Sequence, residues 1–134
     1  AMKAGLKDFA AGNATEAQTA ETIHDVYKKT GYVMDTHTAV AAHVCQEYQE
    51  NSGDKTKCVV ASTASPYKFA GSVMAAIDEK YASVDEFDLL KELSQVSNTE
   101  MPNAIKEILN ANILHTLECD VDKMEDTVKA ILEL

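Results

Sequence analysis

The sequence predicts an α/β protein that is mostly helical, with one clear strand at about 58–62. Apolar residues recur every three or four positions over most of the 134 residues, which is the spacing of amphipathic helices. Residues 58–62 instead form a compact, uncharged run with β-branched side chains, which is typical of a buried parallel strand. A single domain of this length can bury a core without disulfides or metal ions.

The first part of the sequence predicts a loosely ordered arm at 1–14, followed by a helix. Thr15 and Gln18 have the spacing of a capping box, which marks the start of a helix at about 16–30. Gly31 stands where a left-handed C-terminal cap is expected.

A second helix is expected after a short apolar run. Residues 32–34 are candidates for a short strand, and either Asp35 or Thr36 can cap the helix that follows. That helix is expected to end near 51–53, where Asn, Ser and Gly favour a turn.

The predicted strand at 58–62 is followed directly by a third helix. Ser65 is a good N-cap, and Pro66 is favoured at the first helical position. Strand, tight turn and helix would together form half of a βαβ unit.

The remainder of the sequence, at 81–134, is acidic and helical. The apolar spacing predicts helices at 84–96 and 102–111 and a last helix that begins at Asp120 or Asp122. Residues 114–118 are candidates for another short strand.

The charge balance argues against nucleic acid as a partner. The chain has 22 acidic and 12 basic residues, a net charge of −10. The basic residues are all lysine, so the chain has no arginine that could form bidentate hydrogen bonds with phosphates. No apolar run reaches the length of a membrane helix, and no signal peptide is recognised, so we expect a cytoplasmic protein that does not bind membranes.

Three widely spaced cysteines without a C-x-x-C pair are interpreted as reduced and structural.

The common motifs for metal binding and catalysis are missing. The four histidines and the many carboxylates have no spacing that places three ligands on one face, so we expect no metal site. The isolated glycines form neither a nucleophile elbow nor a dinucleotide-binding loop. The acidic stretches at 78–100 and 118–126 either attract a basic partner or are the solvated sides of helices.

Three small hydroxylated residues, Ser62, Thr63 and Ser65, stand at the predicted strand-to-helix turn. Ligands of open α/β sheets collect at the carboxyl ends of strands, where a helix N-terminus also offers free amide donors. The alternative is a purely structural role, in which Ser65 only caps the helix and Thr63 only occupies the turn. The residues themselves leave both interpretations open.

Two ordered sequence blocks resemble the C-terminal part of threonine synthase. They are Gly-Tyr-Val-Met-Asp-Thr-His-Thr-Ala-Val-Ala at 31–41 and Val-Val-Ala-Ser-Thr-Ala-Ser-Pro-Tyr-Lys-Phe at 59–69. The sequence departs from the family pattern at Thr36, where the family usually has proline, and at Ser65, where many members have histidine.

The resemblance implies a fold derived from the pyridoxal-phosphate enzymes of fold type II, which include the tryptophan synthase β chains. It implies conversion of O-phosphohomoserine and water to threonine and phosphate, with pyridoxal phosphate as the cofactor of the parent enzyme. Thr63 matches the hydroxyl residue that hydrogen-bonds the pyridine nitrogen of the cofactor, and Ser62 and Ser65 would flank it. Lys68 is interpreted as a surface lysine, because it lies inside the helix opened by Pro66.

The resemblance further implies that 1–134 is a single C-terminal fragment, with the arm at 1–14, the motif region at 15–80 and an acidic helical tail at 81–134. The family's Schiff-base lysine and its glycine-rich phosphate cup match nothing in this sequence, so we expect the chain alone to be inactive and to bind no cofactor. Its expected partner is the missing N-terminal part of the enzyme or a second copy of the chain. The alternatives are a non-catalytic acidic helical module that binds a protein, and a regulatory subunit.

Overall fold

The computed structural model describes residues 5, 6 and 8–134, and its regular elements are helices. These are α1 (Glu16–Thr30), α2 (Thr36–Ser52), α3 (Ala70–Ile77), α4 (Glu86–Ser97), α5 (Asn103–Leu109) and α6 (Met124–Leu132). Single turns of 3-10 helix lie at Pro66–Phe69, Glu79–Tyr81 and Val121–Lys123. Within the described part of the chain, no helix has both the length and the apolar character needed to cross a membrane.

The ends of α1 are those that the sequence predicts. The Thr15 side chain accepts a hydrogen bond from the Gln18 amide, and the Gln18 side chain bonds back to the Thr15 backbone, so the capping box is complete. Gly31 closes the helix in the left-handed conformation, at φ 74°, which costs glycine little because it has no Cβ.

The core is formed where α1, α3 and α4 meet. α3 packs against both α1 and α4, and α1 also packs against α2. The buried apolar side chains come from these helices and from the segments that enter them, and they are Ile23, Val33, Met34, Ala39, Tyr67, Ala70, Val73, Met74, Ile77, Leu89, Leu90 and Leu93. The core therefore joins both sequence blocks to the first helix of the acidic tail.

The prediction of an α/β protein is wrong, because no strand is present among the described residues. Residues 58–62 are irregular, and Val59 is 94% exposed. A strand needs a neighbour for its backbone donors and acceptors, and no other extended segment of the described chain pairs with this one. The short strands considered at 32–34 and 114–118 are also irregular segments, and Val33 and Met34 enter the core from a loop.

The two ends of the sequence differ from the central part. The predicted arm at 1–14 lies partly outside the described residues, and 9–15 are irregular.

Helix α6 is expected from the sequence, but none of its residues is buried. Its apolar side chains Met124, Val128, Ile131 and Leu132 are all more than half exposed. Because they recur at helical spacing, they form one exposed apolar face, which we call the α6 face.

Candidate functional site

The three residues predicted for cofactor binding lie together on the irregular segment that enters the 3-10 turn at Pro66–Phe69. Ser62, Thr63 and Ser65 are all exposed. The Ser65 side chain accepts a hydrogen bond from the Tyr67 amide at 3.3 Å, so it caps this turn as expected. Among the described residues, none hydrogen-bonds the Thr63 hydroxyl, which leaves it available to a ligand.

Asp35 is a buried carboxylate at the start of α2, near this segment. It is 1% exposed and it caps α2 by accepting hydrogen bonds from the amides of His37, at 2.8 Å, and Thr38, at 3.3 Å. The Thr38 hydroxyl donates a further, short hydrogen bond to Asp35 Oδ2. The carboxylate is thereby supplied with donors that replace the water it has lost.

Thr38 connects this carboxylate to the predicted site. Thr38 Oγ1 lies 3.1 Å from Ser62 Oγ, which joins residues 24 positions apart in the sequence. The Thr38 hydroxyl is the donor to Ser62 as well as to Asp35, so it is shared between the two acceptors. The chain of contacts from Asp35 through Thr38 to Ser62, which we call the Asp35 relay, links the block at 31–41 to the block at 59–69.

A second contact joins the same two blocks. The rings of His37 and Phe69 lie 5.0 Å apart between centroids, at an angle of 45°. His37 Nδ1 is also 3.4 Å from Asp35 Oδ1. The first turn of α2 is therefore held against both ends of the segment that carries Thr63.

Two opposing effects determine the pKa of Asp35. Burial alone would raise the pKa of this carboxyl, but the hydrogen bonds from Thr38 and His37, together with the proximity of the His37 ring, hold it below its ordinary value of 3.8. The charged form is thus the one that the folded structure stabilises.

A surface cavity of about 530 Å³ adjoins Ser65. Its lining is mainly neutral and includes Gly31, Tyr32, Ser65, Pro66, Thr99 and Pro102. The Tyr67 hydroxyl donates to the Thr99 carbonyl at 3.1 Å and so closes one side of it. Lys68 is exposed, as predicted, and its Nζ lies 5.6 Å from the centre of the Phe69 ring.

The comparison with known proteins decides the family. Residues 38–128 match the family described as threonine synthase, C-terminal. The chain belongs to this threonine synthase family. The whole block at 59–69, and most of the helical part that follows it, lie inside the match, which also includes the last four residues of the first block, 38–41.

Individual relatives agree with the family. The chain is 30% identical to threonine synthase of Corynebacterium glutamicum over 111 residues, which are 81% of this chain and 22% of that protein. It is 32% identical to threonine synthase-like 1 of Mus musculus over 95 residues, which are 71% of this chain and 11% of that protein. It is also 32% identical to threonine synthase of Saccharomyces cerevisiae over 81 residues, which are 57% and 16% of the two chains. The chain thus spans about a fifth or less of the length of these relatives.

The sequence pointed to Ser62, Thr63 and Ser65 but missed the Asp35 relay. Asp35 was recognised only as a possible helix cap, and nothing in the spacing indicated that Thr38 would meet Ser62. The available signal was the Asp-Thr-His-Thr string at 35–38, in which the carboxylate cap residue is followed three positions later by a residue with a hydroxyl.

We predict that Asp35→Ala lowers the free energy of unfolding by about 3 kcal/mol, because it removes a cap and leaves the buried Thr38 hydroxyl and amides without an acceptor. Asp85→Ala is the matched control. Asp85 caps α4 by accepting from the Phe87 amide at 2.9 Å, but at an exposed position, so its loss should cost about 1 kcal/mol. Urea unfolding of the two variants measures the difference.

The same measurement should depend on pH. A carboxyl whose pKa is lower in the folded chain stabilises it above the unfolded pKa of about 3.9, and this contribution is lost as the pH falls through the folded pKa. The cost of Asp35→Ala should therefore stay constant from about pH 7 to about pH 4 and shrink as the pH falls further. In the comparison of the two variants, equal costs of Asp35→Ala and Asp85→Ala at neutral pH would show that burial adds nothing to the Asp35 cap.

Proposed function

We propose that this chain is the C-terminal part of a threonine synthase that converts O-phosphohomoserine and water to threonine and phosphate. The observation that carries the proposal is the family match over 38–128. The named threonine synthases among the relatives support it. Because the chain spans 22% of the Corynebacterium glutamicum protein, the reaction needs residues from the rest of such an enzyme, and we expect no turnover by this chain alone.

Pyridoxal phosphate is the proposed cofactor of the complete enzyme, and the chemistry of the exposed hydroxyls fits one part of it. When bound, this cofactor withdraws electrons from the reacting carbon atoms of an amino acid substrate. The Thr63 hydroxyl can exchange a hydrogen bond with the ring nitrogen, while Ser62 and Ser65 flank it. A neutral hydroxyl, unlike a carboxylate, does not favour protonation of that nitrogen, so Thr63 would moderate the electron withdrawal.

The Asp35 relay gives Thr63 a defined position in this proposal. Ser62, the neighbour of Thr63, is held to α2 through Thr38, which is itself held by the buried Asp35 carboxylate. A hydroxyl that has to meet a ring nitrogen within hydrogen-bond distance gains from such support, since a small displacement breaks the bond. Asp35 and Thr38 are therefore positioning residues in our account.

We propose the remainder of a threonine synthase as the partner of this chain, and a second copy as its substitute when the chain is alone. Two exposed features support this, namely the apolar α6 face and the irregular, uncharged run at 58–62 with its exposed Val59. Exposed apolar patches of this kind favour association. For the cellular location we propose the cytoplasm, because the odd number and wide spacing of the cysteines suit a reducing compartment.

A chimera tests the activity and the cofactor contact together. The segment of Corynebacterium glutamicum threonine synthase that aligns with this chain is replaced by this chain, and phosphate release from O-phosphohomoserine is measured. We predict an active chimera in which Thr63→Val lowers kcat by roughly tenfold or more, because a hydrogen bond to the cofactor is lost. The visible absorbance of the bound cofactor should change as well.

Two matched variants control this experiment. Thr63→Ser keeps the hydroxyl and should retain most of the activity, and Thr116→Val removes an exposed hydroxyl outside the site and should change nothing. A folded chimera that binds pyridoxal phosphate but releases no phosphate would refute the proposed reaction. Full kcat and an unchanged spectrum in Thr63→Val would refute the cofactor contact and leave the reaction standing.

Sedimentation of the isolated chain tests the proposed association. We predict a dimer at micromolar concentration that is weakened by Ile131→Lys, because this charge would lie on the α6 face. Asp126→Lys places the same charge on the opposite side of α6 and should leave the dimer intact. A well-folded monomer at all concentrations would contradict self-association through this face.

A further inference from the structure

Two of the three cysteines lie close together in space. Cys45 is half-buried on α2, and Cys58 is exposed on the irregular segment after that helix. Gln49 follows Cys45 by one helical turn, so both side chains lie on the same side of α2. Gln49 Nε2 lies 3.5 Å from Cys58 Sγ and also donates to the Thr56 carbonyl at 2.8 Å. Gln49 therefore holds Cys58 against the side of α2 that carries Cys45.

The position of Cys58 also affects the Cys45 thiol. A hydrogen bond with Cys58, and after it burial, raises the pKa of the Cys45 thiol above its ordinary value. A disulfide requires the two sulfur atoms to approach to about 2 Å, so Cys58 has to move towards Cys45. Cys58 can make this movement, because 54–63 has no regular structure that would resist it.

We propose that Cys45 and Cys58 are a modification site that closes to a reversible intramolecular disulfide when the chain meets a small-molecule disulfide such as glutathione disulfide. The exposed Cys58 thiolate attacks one sulfur of glutathione disulfide, which forms a mixed disulfide and releases one glutathione thiolate. The Cys45 thiolate then attacks the Cys58 sulfur and releases the second. The two protons lost by the cysteines end on the two glutathione thiolates, so two protein thiols are oxidised and one glutathione disulfide is reduced to two thiols.

The disulfide would tie the segment at 54–63 to α2. Ser62 and Thr63 follow Cys58 by four and five residues, so their freedom of movement would fall when the bond forms. This inference is independent of the proposed enzyme activity, since it depends only on the thiol pair and the segment between them.

The test treats the folded chain with glutathione disulfide, blocks the remaining thiols and measures the intact mass and the cysteine-containing peptides. We predict a product with no disulfide between chains, with a Cys45–Cys58 linkage and with one blocked thiol at Cys119. Hydrogen exchange of the amides at 54–63 should become slower in this product, and dithiothreitol should reverse both effects. Each measurement uses the intact chain, because all three cysteines are then present.

Single substitutions supply the controls. Cys45→Ser should stop at the mixed disulfide of Cys58 with glutathione, whereas Cys119→Ser should form the internal disulfide as readily as the original chain. Three blocked thiols after treatment, a linkage that involves Cys119, or glutathione retained on both Cys45 and Cys58 would each overturn the proposal. Unchanged hydrogen exchange with the linkage present would overturn its effect on the segment.

Discussion

A carboxylate that has left water must be surrounded by hydrogen-bond donors, and Asp35 meets this requirement inside the first turn of α2. The amides of His37 and Thr38 and the hydroxyl of Thr38 converge on it. Since the Thr38 hydroxyl also reaches Ser62, the group that satisfies the buried charge also holds the segment with Thr63 against the first turn of α2. The same turn contacts Phe69 through His37, so both ends of that segment depend on it.

The helices could be predicted because the local sequence encodes where a helix begins and ends. Thr15 with Gln18, Gly31 and Asp35 act through neighbours within four residues, and their roles are visible in the sequence. The contact between Thr38 and Ser62 could not be predicted in the same way. It depends on how α2 and the segment before α3 pack, and no spacing rule reports a distance across 24 positions.

The predicted strand failed for a related reason. The composition of 58–62 favours a buried strand, but a strand forms only when a second one accepts its backbone hydrogen bonds. The described chain supplies helices around this segment and no extended neighbour, so Val59 remains exposed. The α6 face shows the same contrast, because its helix forms from local signals while its apolar side stays exposed in the part of the chain that the structure describes.

The central claim is that Thr38 couples the buried Asp35 to the segment that carries the candidate site. A double-mutant cycle of Thr38→Val and Ser62→Ala, followed by urea unfolding, measures this coupling directly. Our account predicts a coupling free energy of about 1 kcal/mol, because the two hydroxyls share a hydrogen bond that either substitution removes. Additive effects, with a coupling below about 0.3 kcal/mol, would contradict it.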